Sequence, residues 1–232
     1  MESVGVPLLA FTVLGLLAAG VVGGLALLRG RTRPARALAL LCAAWLGAYA
    51  TVLIVTSLAS RERTLAVGET KRFCGFYLDC HMGVAVARVD TMSGIGEPGK
   101  EIRAGGTFFV VTLRVSNDAQ RVPLRLEEPR ITIVDAEGFH YERSLDVEHA
   151  LAPGPLANLE RSVDAGHSFT RVVVIDVPHG VREPRLHVTM GGPLDRTAER
   201  ALIGDDDALL HARTLHALAP GSGVSSASAR LR

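Results

Sequence analysis

Thr107-Phe108-Phe109-Val110-Val111-Thr112-Leu113-Arg114-Val115-Ser116-Asn117 is the stretch that decides the fold of this chain. It is built largely of β-branched and aromatic residues and is the strongest strand in the chain. Successive side chains in a strand point to opposite faces. Phe109, Val111, Leu113 and Val115 therefore share one face, and Asn117 ends the run at a turn, where its side chain suits Asx or left-handed geometry.

Working outward, a second long strand is predicted at residues 167–177, stopped by Pro178. A first strand is predicted at 67–73. Residues 84–89 alternate, with Val84, Val86 and Arg88 on one face and Ala85, Ala87 and Val89 on the other. Gly and Pro mark residues 93–100 as a loop. Residues 130–134 read as a short strand, 135–138 as a turn, and 139–141 as the hairpin partner. Residues 185–190 close the set. Strands in series without intervening helices predict an all-β, Ig-like antiparallel sandwich of about seven strands over residues 67–192. Residues 145–159 are the exception, a short helical turn broken by Pro153 and Pro155. Residues 193–219 form a C-terminal extension, partly helix or strand, and the Ser/Gly/Ala-rich tail 220–232 is expected to be disordered.

Ahead of this domain lie two uncharged runs, residues 3–28 and 37–60. A helix rises 1.5 Å per residue, so roughly 20 apolar residues cross a ~30 Å hydrocarbon core. Both runs meet that length and predict transmembrane helices at about 6–28 and 37–59, so that residues 1–60 form a membrane anchor. Gly20 and Gly24 give a small-xxx-small spacing that reads as a contact face, and Trp45 and Tyr49 read as packing residues inside the second helix. The loop at 29–36 holds Arg29, Arg31, Arg33 and Arg36, a cytoplasmic signal. The expected topology has the N-terminus and the C-terminal domain outside the cytoplasm, with a tether at residues 61–66. Glu2 and the long apolar core argue against a cleaved signal peptide. The residue before Cys42 is Leu41, which argues against a lipidated cysteine.

The 232 residues carry a net charge of +1, but the arginines of the hairpin loop dominate it. Beyond them the chain is slightly acidic and has no basic stripe, which excludes a nucleic-acid footprint. The lysines are Lys71 and Lys100, and the abundance of Arg and Ala resembles a high-GC bacterial coding bias. Cys74 and Cys80 flank a short segment. Outside the cytoplasm such neighbours pair, so a disulfide is expected and agrees with the topology read from the arginines.

Three stretches together resemble the DUF4352 / telokin-like group of bacterial extracytoplasmic Ig-like domains. They are Phe-Val-Val-x-Leu-x-Val-x-Asn (Phe109 to Asn117), Ile-x-Asp-x-x-Gly-x-x-Tyr (Ile133 to Tyr141), and Ala165-Gly166 followed by Val172-Val173 and Asp176-Val177-Pro178. The resemblance covers residues 67–190. It implies an envelope protein held by a lipid or helix anchor, and the two-helix hairpin departs from that pattern. Its motifs are structural and supply no catalytic residue.

The ligand-type residues that cluster in sequence are Cys74, Cys80, His81 and Met82. Cu(I) takes Cys, His and Met, so these residues define a rival metal- or redox-linked reading. The C-x₅-C-H spacing fits neither a zinc site nor covalent haem attachment. Asp164, His167 and Ser168 cannot form a relay, because neighbouring strand residues point apart. Asp205-Asp206-Asp207 lacks the spacing of a calcium loop and reads as a solvated acidic turn. No nucleophile elbow, P-loop or dinucleotide fingerprint is present. The expectation is a non-enzymatic binding or envelope-assembly protein with no cofactor and no nucleic acid, whose partners are the bilayer and an envelope component. The stretches 93–106 and 145–164 are the candidate contact loops.

Overall fold

The computed structural model describes residues 5–73, 80–96, 101–151 and 159–218. Cys74 and the tail 220–232 lie outside the described residues. The chain divides into two compact units. Among the described residues, one holds 5–63 and 192–213, and the other holds 64–73, 80–191 and 214–218.

The first unit contains α1 (Gly5–Leu28) and α2 (Thr32–Ala59), both long and apolar enough to cross a membrane. They turn at Gly30 and pack side by side. The Trp45 indole N–H donates to Thr12 Oγ1 at 3.2 Å, and the Trp45 ring meets Phe11 edge-on at 5.9 Å. Trp45 is thus a packing residue between helices. Gly20 and Gly24 are not: a Cβ placed on either would have no neighbour within 4 Å, whereas Gly23 faces Leu38. The small-residue spacing therefore points away from the helix contact.

The second unit is a β-sandwich. One sheet has the order β2-β3-β4-β7, made of β2 (Thr70–Phe73), β3 (Met82–Ile95), β4 (Ile102–Asn117) and β7 (Ser168–Val177). The other has the order β1-β9-β8-β5-β6, made of β1 (Arg63–Leu65), β9 (Thr214–Ala217), β8 (Arg185–Thr189), β5 (Arg130–Val134) and β6 (His140–Glu142). Val111, Leu113 and Val115 of β4 face Ile131 and Ile133 of β5 and Leu186 and Val188 of β8 across the core. Phe109 is partly buried against the same cluster. On the other face of β4, Phe108 and Val110 join Ile95, Val174 and Val147 in a second cluster. Val147 belongs to α3 (Leu145–Leu151), which covers that face. Burial on both faces is why Phe108–Val111 and Val172–Ile175 are continuously apolar.

Four features depart from the sequence reading. First, β3 carries a bulge between Val86 and Arg88. The extra residue shifts the parity, so Val89 joins Val84 and Val86 in the core while Arg88 is exposed and pairs with Asp90. Second, residues 93–95 continue β3 past a second irregularity in the pairing, with Gly94 opposite Arg103 and Ile95 opposite Ile102, so they are strand and not loop. Third, β1 falls within the stretch read as a tether. Fourth, β9 falls within the C-terminal extension and brings Leu215 and Leu218 into the interior. The sandwich therefore has nine strands in the described residues, where about seven were expected. Both added strands are short and lack a turn signal between alternating runs, so only their neighbours in the sheet reveal them.

Buried polar residues pin the strand ends. Asn117 donates from Nδ2 to the carbonyls of Val122 (2.9 Å) and Val163 (2.8 Å), and its Oδ1 accepts the Ala119 amide at 2.9 Å, an Asx turn. Asp135 accepts the Phe139 amide and the Tyr141 hydroxyl, each at 2.8 Å, across a turn in which Gly138 has φ +87. Burial works to raise the Asp135 carboxyl. The hydrogen bonds from Tyr141 and from the backbone of Phe139, Glu137 and Gly138 outweigh it and hold the group below the ordinary carboxylate range. In α3, Glu148 is buried, takes both arms of Arg143 at 2.9 and 2.5 Å, and accepts the Val174 amide at 3.0 Å. That carboxylate fastens α3 to β7.

Asn117→Ala removes three hydrogen bonds at the end of the central strand and is expected to lower stability by about 2–3 kcal/mol. Chemical denaturation of the detergent-solubilised chain, followed by circular dichroism in the β region, checks this. A loss of only a few tenths would mean that water replaces Asn117 there at little cost.

Candidate functional site

Cys80, His81 and Met82 precede or begin β3, and the structure sends His81 and Met82 apart. Met82 points into the main core, where it packs with Val84 and Val115. His81 is half exposed and places Nδ1 2.8 Å from Asp118, which Arg72 also contacts at 2.8 Å. Partial burial works to raise the Asp118 carboxyl, but hydrogen bonds from His81 and Arg72, together with the Arg72 charge, leave it below the ordinary range. The imidazole is thus oriented by an ion-pair cluster while the thioether lies among aliphatic side chains. The reason is strand geometry, which sends neighbouring residues to opposite faces. Cys42 is the free cysteine among the described residues, and Cys80 is not one. No group of three or more His, Cys, Asp or Glu is placed to hold a metal ion among the described residues.

The contact loops also take a different form. Residues 93–95 and 102–106 are strand, and 145–151 are α3, whereas 97–100 and 152–158 lie outside the described residues. Asp205 caps its own turn by accepting the Asp207 amide at 2.9 Å.

A groove on the outer face of the five-stranded sheet brings together residues far apart in sequence. Thr132 pairs with Glu142 on one side and His187 on the other, while Arg130 pairs with Thr189 and Val134 with His140. Arg130, Thr132, His140, Glu142, His187 and Thr189 line a cavity of about 400 Å³. His140 Nδ1 lies 3.2 Å from Thr132 Oγ1, and the His140 and His187 rings meet edge-on at 6.0 Å. A floor of threonine with two imidazoles, a guanidinium and a carboxylate at its rim suits recognition of a polar, hydrogen-bonding group. In sequence, 46 residues separate His140 from His187, and nothing local links them. Only the strand order β8-β5-β6 makes them neighbours.

A second titratable pair lies inside the sandwich. Lys71 of β2 is buried, donates to the Val188 carbonyl at 3.1 Å and sits 5.0 Å from the centre of the Phe73 ring. His216 of β9 is fully buried, and neither ring nitrogen has a hydrogen-bond partner among the described residues. Burial, reinforced by the charge of Lys71 and opposed by Glu69, lowers the His216 pKa to about 4. The imidazole is therefore neutral near pH 7.

No family model matches this chain, and no curated protein does. Solved structures do resemble it. A secreted protein of Mycobacterium tuberculosis, MPT63, is 14% identical with a TM-score of 0.39, over 58% of this chain and 93% of that one. A conserved hypothetical protein from Bacillus anthracis is 17% identical with a TM-score of 0.36, over 54% and 88%. An uncharacterized β-sandwich protein from Clostridium difficile is 10% identical with a TM-score of 0.38, over 69% and 96%. Likeness this distant says nothing about a ligand or an activity.

Two outcomes are expected. Met82→Ala opens a core cavity and costs about 2–4 kcal/mol, while His81→Ala, losing an exposed pair, changes stability by less than about 1 kcal/mol. Denaturation melts with and without a chelator check this, and a chelator-sensitive melting temperature would restore the metal reading. For His216, the folded pKa lies below the unfolded value, so stability is complete above about pH 6.5 and falls as the pH drops towards 4. The full loss is about 3 kcal/mol. His216→Leu is expected to flatten that slope in melts between pH 7 and 4, and an unchanged slope would show that His216 is not its source.

Proposed function

We propose that this chain is a membrane-anchored, extracytoplasmic Ig-like domain of the DUF4352 / telokin-like type, acting as a non-enzymatic binding or envelope-assembly protein. The observation that carries the reading is chain continuity. Two helices of spanning length are joined by an arginine-rich turn, and α2 ends at Ala59 just before β1 begins at Arg63. A sandwich that starts so soon after a span has its partners close to the bilayer. The positions of Arg29, Arg31, Arg33 and Arg36 favour a cytoplasmic turn, which leaves the sandwich outside. Pairing of Cys74 with Cys80 belongs to the same proposal, supported by an oxidising compartment and by Cys80 not being a free thiol. The groove around Thr132, His140 and His187 replaces the loops as the proposed recognition surface, because it gathers hydrogen-bonding groups in a concave site.

An impermeant maleimide tests the topology in spheroplasts expressing the full chain with Cys42→Ala. The exposed position Arg88→Cys is expected to label in intact spheroplasts, and Arg31→Cys only after permeabilisation. The Cys42→Ala parent is expected to stay unlabelled until reductant opens the Cys74–Cys80 bond. Reversed accessibility, or release of the chain by carbonate, would overturn the proposal.

A further inference from the structure

The outer face of the five-stranded sheet owes its groove to the lengths of the side chains on it. Ile131 and Ile133 of β5, Leu186 and Val188 of β8 and Tyr141 of β6 pack on the core. Their strand alternates, Arg130, Thr132, His140, Glu142, His187 and Thr189, therefore stand on the opposite face. Glu142, Thr132 and His187 form one row across three strands, because Thr132 is the register partner of both others. Cβ atoms of direct partners lie about 5 Å apart, so those of Glu142 and His187 are roughly 10 Å apart across the row. Thr132 is short and buried between these longer side chains, and this makes the row concave. Arg130 and Thr189 pair in the adjacent row and extend the groove along the strands.

The polar groups differ in what they already hold. The Thr132 hydroxyl and His140 Nδ1 hold each other at 3.2 Å. Arg130 and Glu142 are exposed and line the same groove, a diagonal cross-strand step apart. Such positions are roughly 7–8 Å apart. The two side chains do not pair with each other, and neither has a hydrogen-bond or ion-pair partner among the described residues. A guanidinium has five N–H donors and no acceptor, while a carboxylate only accepts. Arg130 is thus open to a ligand acceptor and Glu142 to a ligand donor. The parallel N–H groups of Arg match the two oxygens of a carboxylate. A second negative group beside Glu142 would be repelled, whereas a hydroxyl would donate to it. The imidazoles of His140 and His187 and the Thr189 hydroxyl can each donate or accept, which suits further hydroxyls. The cavity of about 400 Å³ is within the range of small-ligand sites.

We propose that this groove binds a small polyhydroxy carboxylate, with Arg130 holding the carboxylate and Glu142 a hydroxyl of the same molecule. The proposal rests on the groove being the recognition surface and adds the class of ligand. It does not depend on the membrane anchor.

Gluconate and sorbitol test it, since the two are carbon chains of equal length that differ in the carboxylate alone. The full chain is solubilised in detergent with isotope-labelled histidine, and the ring signals of His140 and His187 are assigned by their loss in His140→Gln and His187→Gln. At pH 7 and constant ionic strength, gluconate is expected to shift both signals saturably. Sorbitol is expected to bind about tenfold more weakly, and Arg130→Gln to lower the gluconate affinity by a similar factor. Unmoved signals from the other histidines show that the Arg130→Gln fold is intact. Equal affinity for sorbitol and gluconate would overturn the carboxylate inference and leave the groove as a recognition surface. An Arg130→Gln chain that binds gluconate as well as the parent would overturn it too. If neither compound moves either signal, the inference and the reading of the groove as a recognition surface fail together.

Discussion

The central strand β4 is buried on both faces, and the rest of the sandwich follows from that. Val111, Leu113 and Val115 need a second sheet in front of them, and Phe108 and Val110 need a cover behind. β5 and β8 satisfy the first demand, α3 the second. β3 and β7 flank β4 along most of its length and close its hydrogen-bond ladder on both sides. A strand with both faces and both edges occupied cannot slip in register without moving apolar side chains into water.

Burial of that kind leaves strand ends and corners as the weak points, and polar side chains secure them. Asn117 ties the end of β4 to the carbonyls of Val122 and Val163. Asp135 closes the β5–β6 hairpin, and Glu148 binds α3 through Arg143 and the Val174 amide. These residues carry much of the family-like pattern read in the sequence. Asn117 and Asp135 explain why that pattern signals a fold and names no ligand: they are spent on backbone groups and on the Tyr141 hydroxyl. His216 is the opposite case, a buried imidazole whose ring nitrogens have no hydrogen-bond partner among the described residues, with the charge of Lys71 acting on it.

Much of the sandwich was legible because β4, β7 and the β5–β6 hairpin combine alternation, β-branched residues and turn chemistry in one local window. The bulge at Val86–Arg88 was not, since an extra residue in a strand has no signature apart from the partner strand that lacks it. The groove escaped for a related reason. His140 and His187 lie on strands separated by another strand, and nothing local to either residue announces the other. His81 and Met82 are the reverse case, adjacent letters that the pleat sends apart.

By itself the sequence determined what depends on composition and near neighbours: two apolar helices of spanning length, an arginine turn between them, and a domain of strands after them. Length, hydrophobicity and period-two alternation act within a few residues of chain. The tertiary structure alone decided that residues 63–65 and 214–217 are strands of one sheet, that residues 192–213 pack on the helices, and that the outer sheet gathers two histidines over a threonine. Each of these is a pairing between distant segments, set by which surfaces remain uncovered once β4 and the helix hairpin have found their neighbours.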